Sequence, residues 1–485
     1  MVKLSLKKVF KDETSLSFFK HFSKYLSGEL FNKFLGLLTI AILTRLLPVN
    51  EYGKVSIFMS VFTIFSIIIS LNLRSAISRF YYEKEIDYYS FLDSIISFLI
   101  VFIPITIFVF YFGFASFFKI YLNIDNNIYL WGLVTAGFAS FFQLYLSYLM
   151  GKKESTSYNK LYILQNLIGL ILFLILIYTI FKGENRYMAR ILGISFTYFF
   201  LAFYSLIKIK PKFKIKLNYL KEALSFSVPL IPHSLSTLII AQADKIMLNK
   251  FVGLTSTGLY TFGYQISAVI HTIILAMTKI WTPFLYSSLS EKKYEDIDKI
   301  INKLSISIYS IVFIFLIFTP EIVSIFAPKS YYNSIYIIPI LINSYVFIFL
   351  YTFYGGFSFY YKKTNWYAFF TIVTATINIL VNLILIPKYS YIGAAISSLI
   401  SYFFLFLFNY LLIVVFANFE YTVPLRKLMK HIYIVILGNI LFYIFFKLSN
   451  EINWYYTLTL KLILGLILGS IIFKLIILPK IKGYK

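Results

Sequence analysis

The sequence has little charge for its length and no cysteine. Only 13% of its 485 residues are charged, against about 25% in soluble domains, so water is not the main solvent of this chain. The lack of cysteine excludes disulfides, thiolate metal sites and cysteine nucleophiles. No phosphate-binding loop, GxSxG motif or His/Glu zinc pattern occurs either. ATP hydrolysis, covalent catalysis and a metal site therefore have no support, and we expect neither an enzyme nor a bound cofactor.

Long apolar runs occupy most of the chain, and 60% of all residues are hydrophobic. A helix needs about 20 mainly apolar residues to cross a bilayer core. Reading the runs between polar, Pro and Gly breaks predicts an all-α integral membrane protein with about 14 transmembrane helices. The predicted helices are 27–47, 52–78, 90–113, 128–150, 159–181, 189–207, 222–250, 257–288, 302–326, 334–360, 364–386, 392–416, 428–447 and 454–476.

The basic residues are distributed unevenly between alternate loops. The formal net charge is +25, but no soluble segment is long enough to form a basic nucleic-acid-binding domain. In the predicted topology, 30 Lys and Arg fall on the side of the N-terminus and nine on the other side. By the positive-inside rule this predicts a multi-pass protein of the cytoplasmic membrane, with both termini in the cytoplasm and an even number of spans.

The chain also shows an internal repeat. An offset of 205 residues aligns Arg45 with Lys250, Gly53 with Gly258, and Arg74 with Lys279. An offset of six helices gives the two copies the same topology, so they would be related by a pseudo-two-fold axis along the membrane normal, with a cavity between two lobes. The predicted regions are a cytoplasmic amphipathic lead-in (1–26), an N-lobe (27–207), a basic cytoplasmic linker (208–221), a C-lobe (222–416) and two additional helices with a basic tail (417–485).

Two stretches resemble a known family. They are FLGLLTIAILTRLLPVNEYGKVSIFMSVF, from Phe34, and SFSVPLIPHSLSTLIIAQADKIMLNKFVGLTSTGLYTFGYQ, from Ser225. Together they resemble the polysaccharide-export branch of the multidrug, oligosaccharidyl-lipid and polysaccharide exporter superfamily. The matching features are the T-R-L-L-P turn before Glu51-Tyr52-Gly53, the two prolines Pro229 and Pro232, the pair Asp244-Lys245, and Gly258-Leu259-Tyr260.

The resemblance implies a MATE-like fold and a flippase that works by alternating access. Its substrate would be an undecaprenyl-diphosphate-linked oligosaccharide repeat unit for O-antigen, capsule or exopolysaccharide assembly. Membrane lipids and polysaccharide polymerase or assembly proteins would be its partners, and nucleic acid would not. Two alternatives stay open: a flippase for the lipid precursor of peptidoglycan, and a cation-coupled multidrug exporter of the same superfamily.

Basic residues inside predicted helices are the candidate substrate-binding groups. A cation in the bilayer core is costly unless it faces a wet cavity, a partner or the headgroups. Cations that line a tunnel would replace the hydration of a crossing lipid diphosphate. The competing interpretation is snorkelling, in which long basic side chains reach the headgroups from near a helix end. The candidates for diphosphate binding are Arg74, Lys279, Arg45, Arg79 and Lys245, while Lys33 and Lys461 fit a structural role better.

Three further residues have candidate roles in the mechanism. Asp244, a carboxylate within a predicted span, is a candidate for coupling to a Na+ or H+ gradient. The competing interpretation is an ion pair with a basic neighbour. Pro229 and Pro232 should break or bend the start of the seventh helix, either as a hinge or as a static feature. His233 and His271 are expected to be packing residues.

Overall fold

All regular elements that the structure describes are helical. The computed structural model describes residues 31–83, 85–183, 185–362, 364–416, 421–448 and 458–465. The predicted amphipathic lead-in and the predicted basic tail lie outside these ranges. The α-helices up to residue 416 are α1 (described over 31–46), α2 (Val49–Ile69), α3 (Arg74–Phe80), α4 (Tyr88–Leu122), α5 (Asn126–Gly151), α6 (Ser155–Thr179), α7 (Arg186–Ile209), α8 (Leu217–Ser227), α9 (Ile231–Phe251), α10 (Leu254–Ser290), α11 (Tyr294–Ile317), α12 (Thr319–Phe326), α13 (Ile338–Tyr360) and α14 (Thr364–Leu411).

Three shorter helices follow: α15 (Leu425–Met429), α16 (Tyr433–Leu448) and α17 (described over 458–465). The chain forms two compact units, Met1–Gly258 and Leu259–Lys485. This division lies about one helix later than the predicted boundary between lobes at 208–221, because α8 and α9 pack with α2–α4. The predicted lobes stay a prediction, since they were assigned from the repeat and not from compactness.

Eleven described helical segments are long and apolar enough to cross a membrane. One of them, Trp366–Val414, has 49 residues and is broken at Ser390, whose φ of 54° and ψ of −136° are not helical. Gly393 packs against this break, where a Cβ would come within 2.2 Å of Leu385 O. The break separates the predicted helices 364–386 and 392–416. The count of 14 stays a prediction, because the first and last predicted helices extend beyond the described residues.

The predicted helix 52–78 is wrong in one respect, because the structure divides it into α2 and α3. The helix ends at Ile69, and Leu71 (φ 49°) and Asn72 (φ 54°) both adopt left-handed backbone conformations. Each such conformation in a residue other than glycine costs about 1–2 kcal/mol. The sequence contains no Gly or Pro at this point, and breakers of that kind are what predict an interruption.

The basic linker is tied to the start of α4 by its backbone. Asp93, which is 9% exposed, accepts hydrogen bonds from Lys212 N (2.6 Å) and Lys214 N (3.4 Å). Ser94 Oγ accepts a further bond from Lys216 N at 3.0 Å. Asp93 therefore satisfies backbone donors of a non-helical segment, which explains a carboxylate near the end of a membrane helix without a role in ion binding.

The second unit has a core of buried tyrosines. Tyr309 OH donates to Leu428 O at 3.0 Å, and Tyr354 OH donates to Val423 O at 2.9 Å. Both rings are fully buried, and their hydroxyls hold the segment around α15 against α11 and α13. The bulky ring supplies packing while the hydroxyl satisfies a carbonyl that lipid could not.

Candidate functional site

The motif Glu51-Tyr52-Gly53 stabilises the start of α2 and α7. Glu51 Oε2 accepts a hydrogen bond from Tyr187 N (3.0 Å) in the first turn of α7, and Lys54 lies 4.3 Å from the centre of the Tyr187 ring. A carboxylate at a helix N-terminus satisfies an unpaired donor and interacts favourably with the helix dipole. This motif therefore has a structural role in the first unit.

Gly53 and Gly258 lie at a single helix crossing. A Cβ on Gly53 would lie 2.1 Å from Leu254 O, and a Cβ on Gly258 would lie 2.1 Å from Val49 O. Residues 49 and 254 are separated by the same 205 positions as the two glycines, so α2 and α10 make the same contact from both sides. The two glycines that the repeat aligns therefore have equivalent surroundings, in which a side chain would not fit.

The break between α2 and α3 is held by polar side chains. Asn72 is 2% exposed, and its Nδ2 lies 3.5 Å from Ser234 Oγ on α9. Ser75 Oγ donates to Asn72 Oδ1 at 3.3 Å. Among the described residues, the buried Nδ1 of His233, beside Ser234, has no hydrogen-bond partner. Non-helical backbone at membrane depth is tolerated where protein or a wet cavity satisfies it.

Arg74 begins α3 directly after this break, and its side chain is exposed. Its Nη1 donates to Gln143 Oε1 on α5 at 3.1 Å. Gln143 is neutral, so this bond orients the guanidinium without cancelling its charge. A guanidinium has five N–H donors, and this contact uses one of them. Arg74 is thus fixed in position and retains both charge and donors for an anion.

A second polar group connects α2 and α9 deeper along the same pair of helices. Gln242 Oε1 accepts from Ser60 Oγ (3.0 Å) on α2 and from Lys245 Nζ (2.8 Å) on α9. Lys245 is 6% exposed and the neighbouring Asp244 is fully buried. Asp244 and Lys245 therefore both lie inside the first unit, as a residue pair within a membrane helix.

We call the contact between α2–α3 and α9 the α2–α9 seam. The contacts Asn72–Ser234 and Ser60–Gln242 show that the two helices run antiparallel. Ser234 and Lys245 are 11 residues apart, which places the two levels about 16 Å apart at about 1.5 Å per residue. That separation is about half the thickness of a bilayer core. One level of the seam therefore lies beside the break that precedes Arg74, and the other level, about half a bilayer core away, carries Lys245.

The two prolines lie at helix starts and not within helices. Pro229 is in the 3-10 turn Val228–Leu230 that joins α8 to α9, and Pro232 is in the first turn of α9. Proline lacks an N–H that these positions do not need. The predicted single helix 222–250 is thus two helices, and the predicted bend lies one turn before the Asn72–Ser234 contact.

The other predicted site residues have different surroundings. Arg45 is exposed and bonds Ala41 O of its own helix at 2.9 Å, which fits snorkelling. Arg79 forms an exposed ion pair with Glu83 at 2.7 Å. Lys279 lies on α10 in the second unit and is partly buried.

Sequence reasoning did not single out Asn72, Gln143 and Gln242. All three are uncharged amides, whereas the sequence-based candidates were charged residues. Their signal was an Asn or Gln within an apolar run, since such groups need partners in lipid. Lys461 was expected to be structural, and its ion pair with Glu321 at 2.7 Å, with both groups buried, accords with that role.

Comparison with known proteins agrees with this architecture. The family described as "Polysaccharide biosynthesis protein" matches residues 18–289, which include α1–α9 and the whole seam. The chain belongs to this family. The match confirms the predicted membership in the polysaccharide-export branch.

Two relatives from Haemophilus influenzae extend the family match. A protein of the Lsg locus is 28% identical over 301 residues, covering 59% of this chain and 68% of that protein. An uncharacterized membrane protein is 23% identical over 407 residues, covering 78% of this chain and 95% of the relative.

Solved structures show the same fold. The lipid II flippase MurJ in an inward closed conformation has a TM-score of 0.70 at 15% identity, covering 93% of this chain and 98% of MurJ. An inward-facing MATE family multidrug transporter of the MOP superfamily has a TM-score of 0.56 at 16% identity, with 82% and 100% covered. The predicted MATE-like fold is thereby confirmed, and this family member is a multi-pass membrane protein.

Proposed function

We propose that this protein is a flippase that moves undecaprenyl-diphosphate-linked oligosaccharide repeat units across the cytoplasmic membrane by alternating access. The observation that carries the proposal is Arg74, a cation at a helix break whose described hydrogen-bond partner is the neutral Gln143. A diphosphate is recognised best by a planar guanidinium with several free donors. Membership in the polysaccharide biosynthesis family supports a saccharide as the group that the lipid carries.

Lys245 is the second cation on the proposed path of the diphosphate along the seam. A diphosphate that leaves Arg74 must cross a core of about 30 Å, and a desolvated anion there is costly. Lys245 lies about 16 Å along α9 from Ser234, the residue that contacts the helix break before Arg74, so it divides that distance. The prenyl tail would stay in lipid while the headgroup follows the seam. Arg45 and Lys279 remain proposed contacts at other depths.

Alternating access requires helices that can change direction. The seam contains two such places: the left-handed break at Leu71 and Asn72, and the 3-10 turn at Val228–Leu230. Asn72, at the first place, contacts Ser234, about one helical turn beyond the second. We propose that bending at these two places accompanies transport, with Pro229 and Pro232 limiting where α9 can begin.

Coupling to Na+ or H+ through Asp244 is part of the proposal. A buried carboxylate beside Lys245 could hold a cation or a proton, and its charge would then change the electrostatics at this second cation. In proteoliposomes, Asp244→Asn is expected to remove the dependence of flipping on a Na+ or pH gradient. A gradient dependence that persists in folded Asp244→Asn protein would contradict this coupling role.

The test of function is the flipping of a fluorescent undecaprenyl-diphosphate oligosaccharide in proteoliposomes. Arg74→Gln is expected to reduce the rate about tenfold or more, because charged hydrogen bonds to phosphate are among the strongest. Arg186→Gln is the matched control, since the hydrogen bonds of Arg186 within the described part of the chain go to the backbone carbonyls of Gly183, Lys182 and Leu46. Equal rates for Arg74→Gln and wild type at matched folded protein would refute the Arg74 assignment.

The same assay separates the alternatives. The fold shared with MurJ favours testing a peptidoglycan lipid precursor, which presents the same diphosphate with a different saccharide. If the protein flipped that precursor faster than any lipid-linked oligosaccharide, the peptidoglycan precursor would be its substrate. Gradient-driven export of organic cations without lipid flipping would instead support the multidrug exporter.

A further inference from the structure

A polar cavity lies in the first unit, and the seam residues described above do not line it. It has a volume of about 80 Å³ and is lined by residues of α2, α6 and α7. Gln165, Asn166 and Gly169 line it from α6, and Arg190, Thr197 and Tyr198 line it from α7. The cavity is larger than the roughly 30 Å³ that one water molecule occupies in the liquid.

Arg190 is the charged group of this cavity, and it lies within the membrane span Arg186–Ile209. Among the described residues, its guanidinium makes one hydrogen bond, from Nη1 to Gly169 O at 3.2 Å. None of the described residues that line the cavity is a carboxylate. An ionisable group within a membrane span is rare and usually has a partner or a function.

Neighbouring side chains add a further donor and fix the geometry. Gln165 Nε2 donates to Tyr198 OH at 3.0 Å, so the hydroxyl accepts that bond and keeps its own proton to donate. Asn166 Nδ2 donates to Asn32 Oδ1 at 2.9 Å and is thereby held by α1. The wall next to Arg190 is tight, because a Cβ on Gly193 would come within 3.1 Å of Gly169 O.

The cavity thus offers one positive charge, several N–H donors and a hydroxyl donor, and its lining supplies no negative charge. We propose that it is an anion-binding site in which Arg190 and Tyr198 hold a halide or a carboxylate. A carboxylate would suit the planar fork of Arg190, and a halide would suit the volume equally. The carboxylate of an acidic sugar and free chloride are the two sources that present this chemistry. The inference does not depend on the proposed function.

Thermal unfolding of the purified full-length protein in detergent tests the proposal. Sodium chloride, sodium acetate and sodium glucuronate are titrated separately at an ionic strength held constant with sodium HEPES. A ligand that binds only the folded state raises Tm in proportion to the logarithm of its concentration once the site is occupied. We expect such a rise for wild type, with an apparent affinity at least about tenfold weaker in Arg190→Gln and moderately weaker in Tyr198→Phe.

Two controls separate binding from structure. Arg186→Gln, one turn earlier on α7, should keep the full anion response. If Arg190 served only to bond Gly169 O, Arg190→Gln would lower Tm by the same amount at every anion concentration.

A response to chloride and acetate identifies a small-anion site, and a response to glucuronate alone identifies the acidic sugar. No anion-dependent shift in wild type, or an undiminished shift in folded Arg190→Gln, would overturn the proposal. Because no lipid is transported in this assay, its result is separate from that of the flipping assay.

Discussion

Two cations in this chain are held in opposite ways. Lys461 is 1% exposed and forms an ion pair with Glu321, which lies on α12 of the same unit. Arg74 in the first unit is exposed and bonds the neutral amide of Gln143. The carboxylate cancels the charge of Lys461, while the amide leaves the charge of Arg74 available. The comparison teaches that the partner of a membrane cation, more than its presence, separates a structural role from a binding role.

Breaking the Lys461 pair should have the largest effect on stability. Lys461→Met leaves Glu321 buried without its partner, which typically costs about 3–5 kcal/mol. We expect a large fall in Tm and normal flipping per folded molecule. The double variant Lys461→Met with Glu321→Leu should recover most of the stability, because well-packed apolar residues often replace a buried pair at little cost. A stable Lys461→Met variant that fails to flip lipid would contradict the structural role of Lys461 and assign it to transport.

Arg74→Gln should have the opposite effects on stability and on flipping. Because Arg74 is exposed and bonds one amide, its loss should reduce the free energy of unfolding by about 1 kcal/mol or less. Flipping should fall about tenfold or more. Thermal unfolding and the proteoliposome assay on one preparation measure both quantities. A severe loss of stability with unchanged flipping would place Arg74 in the same class as Lys461.

Gln143→Glu would give Arg74 a carboxylate partner, as Lys461 has in Glu321. The new carboxylate would pair with Arg74 and compete with a diphosphate for its donors. We expect stability equal to or above wild type, and flipping reduced several-fold. Gln143→Leu serves as the control, because it removes the amide acceptor and leaves the charge. Equal flipping by Gln143→Glu and wild type would show that the charge of Arg74 is not used.

The smallest effect is expected at Arg79, which lies five residues beyond Arg74. Its ion pair with Glu83 is exposed, and exposed pairs contribute about 0–1 kcal/mol. Arg79→Gln should change Tm slightly and reduce flipping far less than Arg74→Gln. If both variants lost flipping equally, Arg79 would bind the headgroup as well as Arg74, as predicted from the sequence.

The sequence predicted most of the fold but only part of the site. Apolar runs and their breaks indicated the membrane helices, because the bilayer requires about 20 apolar residues per span. The break at Leu71 and Asn72 escaped prediction, since its left-handed backbone is held by contacts with Ser234 on another helix. Gly53 and Gly258 were paired by the repeat, but only the structure shows that they lie at a crossing where a side chain would not fit.

The amino-acid sequence by itself determined that this is a helical membrane protein of the polysaccharide biosynthesis family with an excess of positive charge. These properties follow from composition, periodicity and short motifs, which are local. The tertiary structure decided which cations are neutralised. Arg74 and Gln143 are 69 residues apart in the chain, and Lys461 and Glu321 are 140 apart. No pattern along the chain records such partners, because packing of distant helices chooses them.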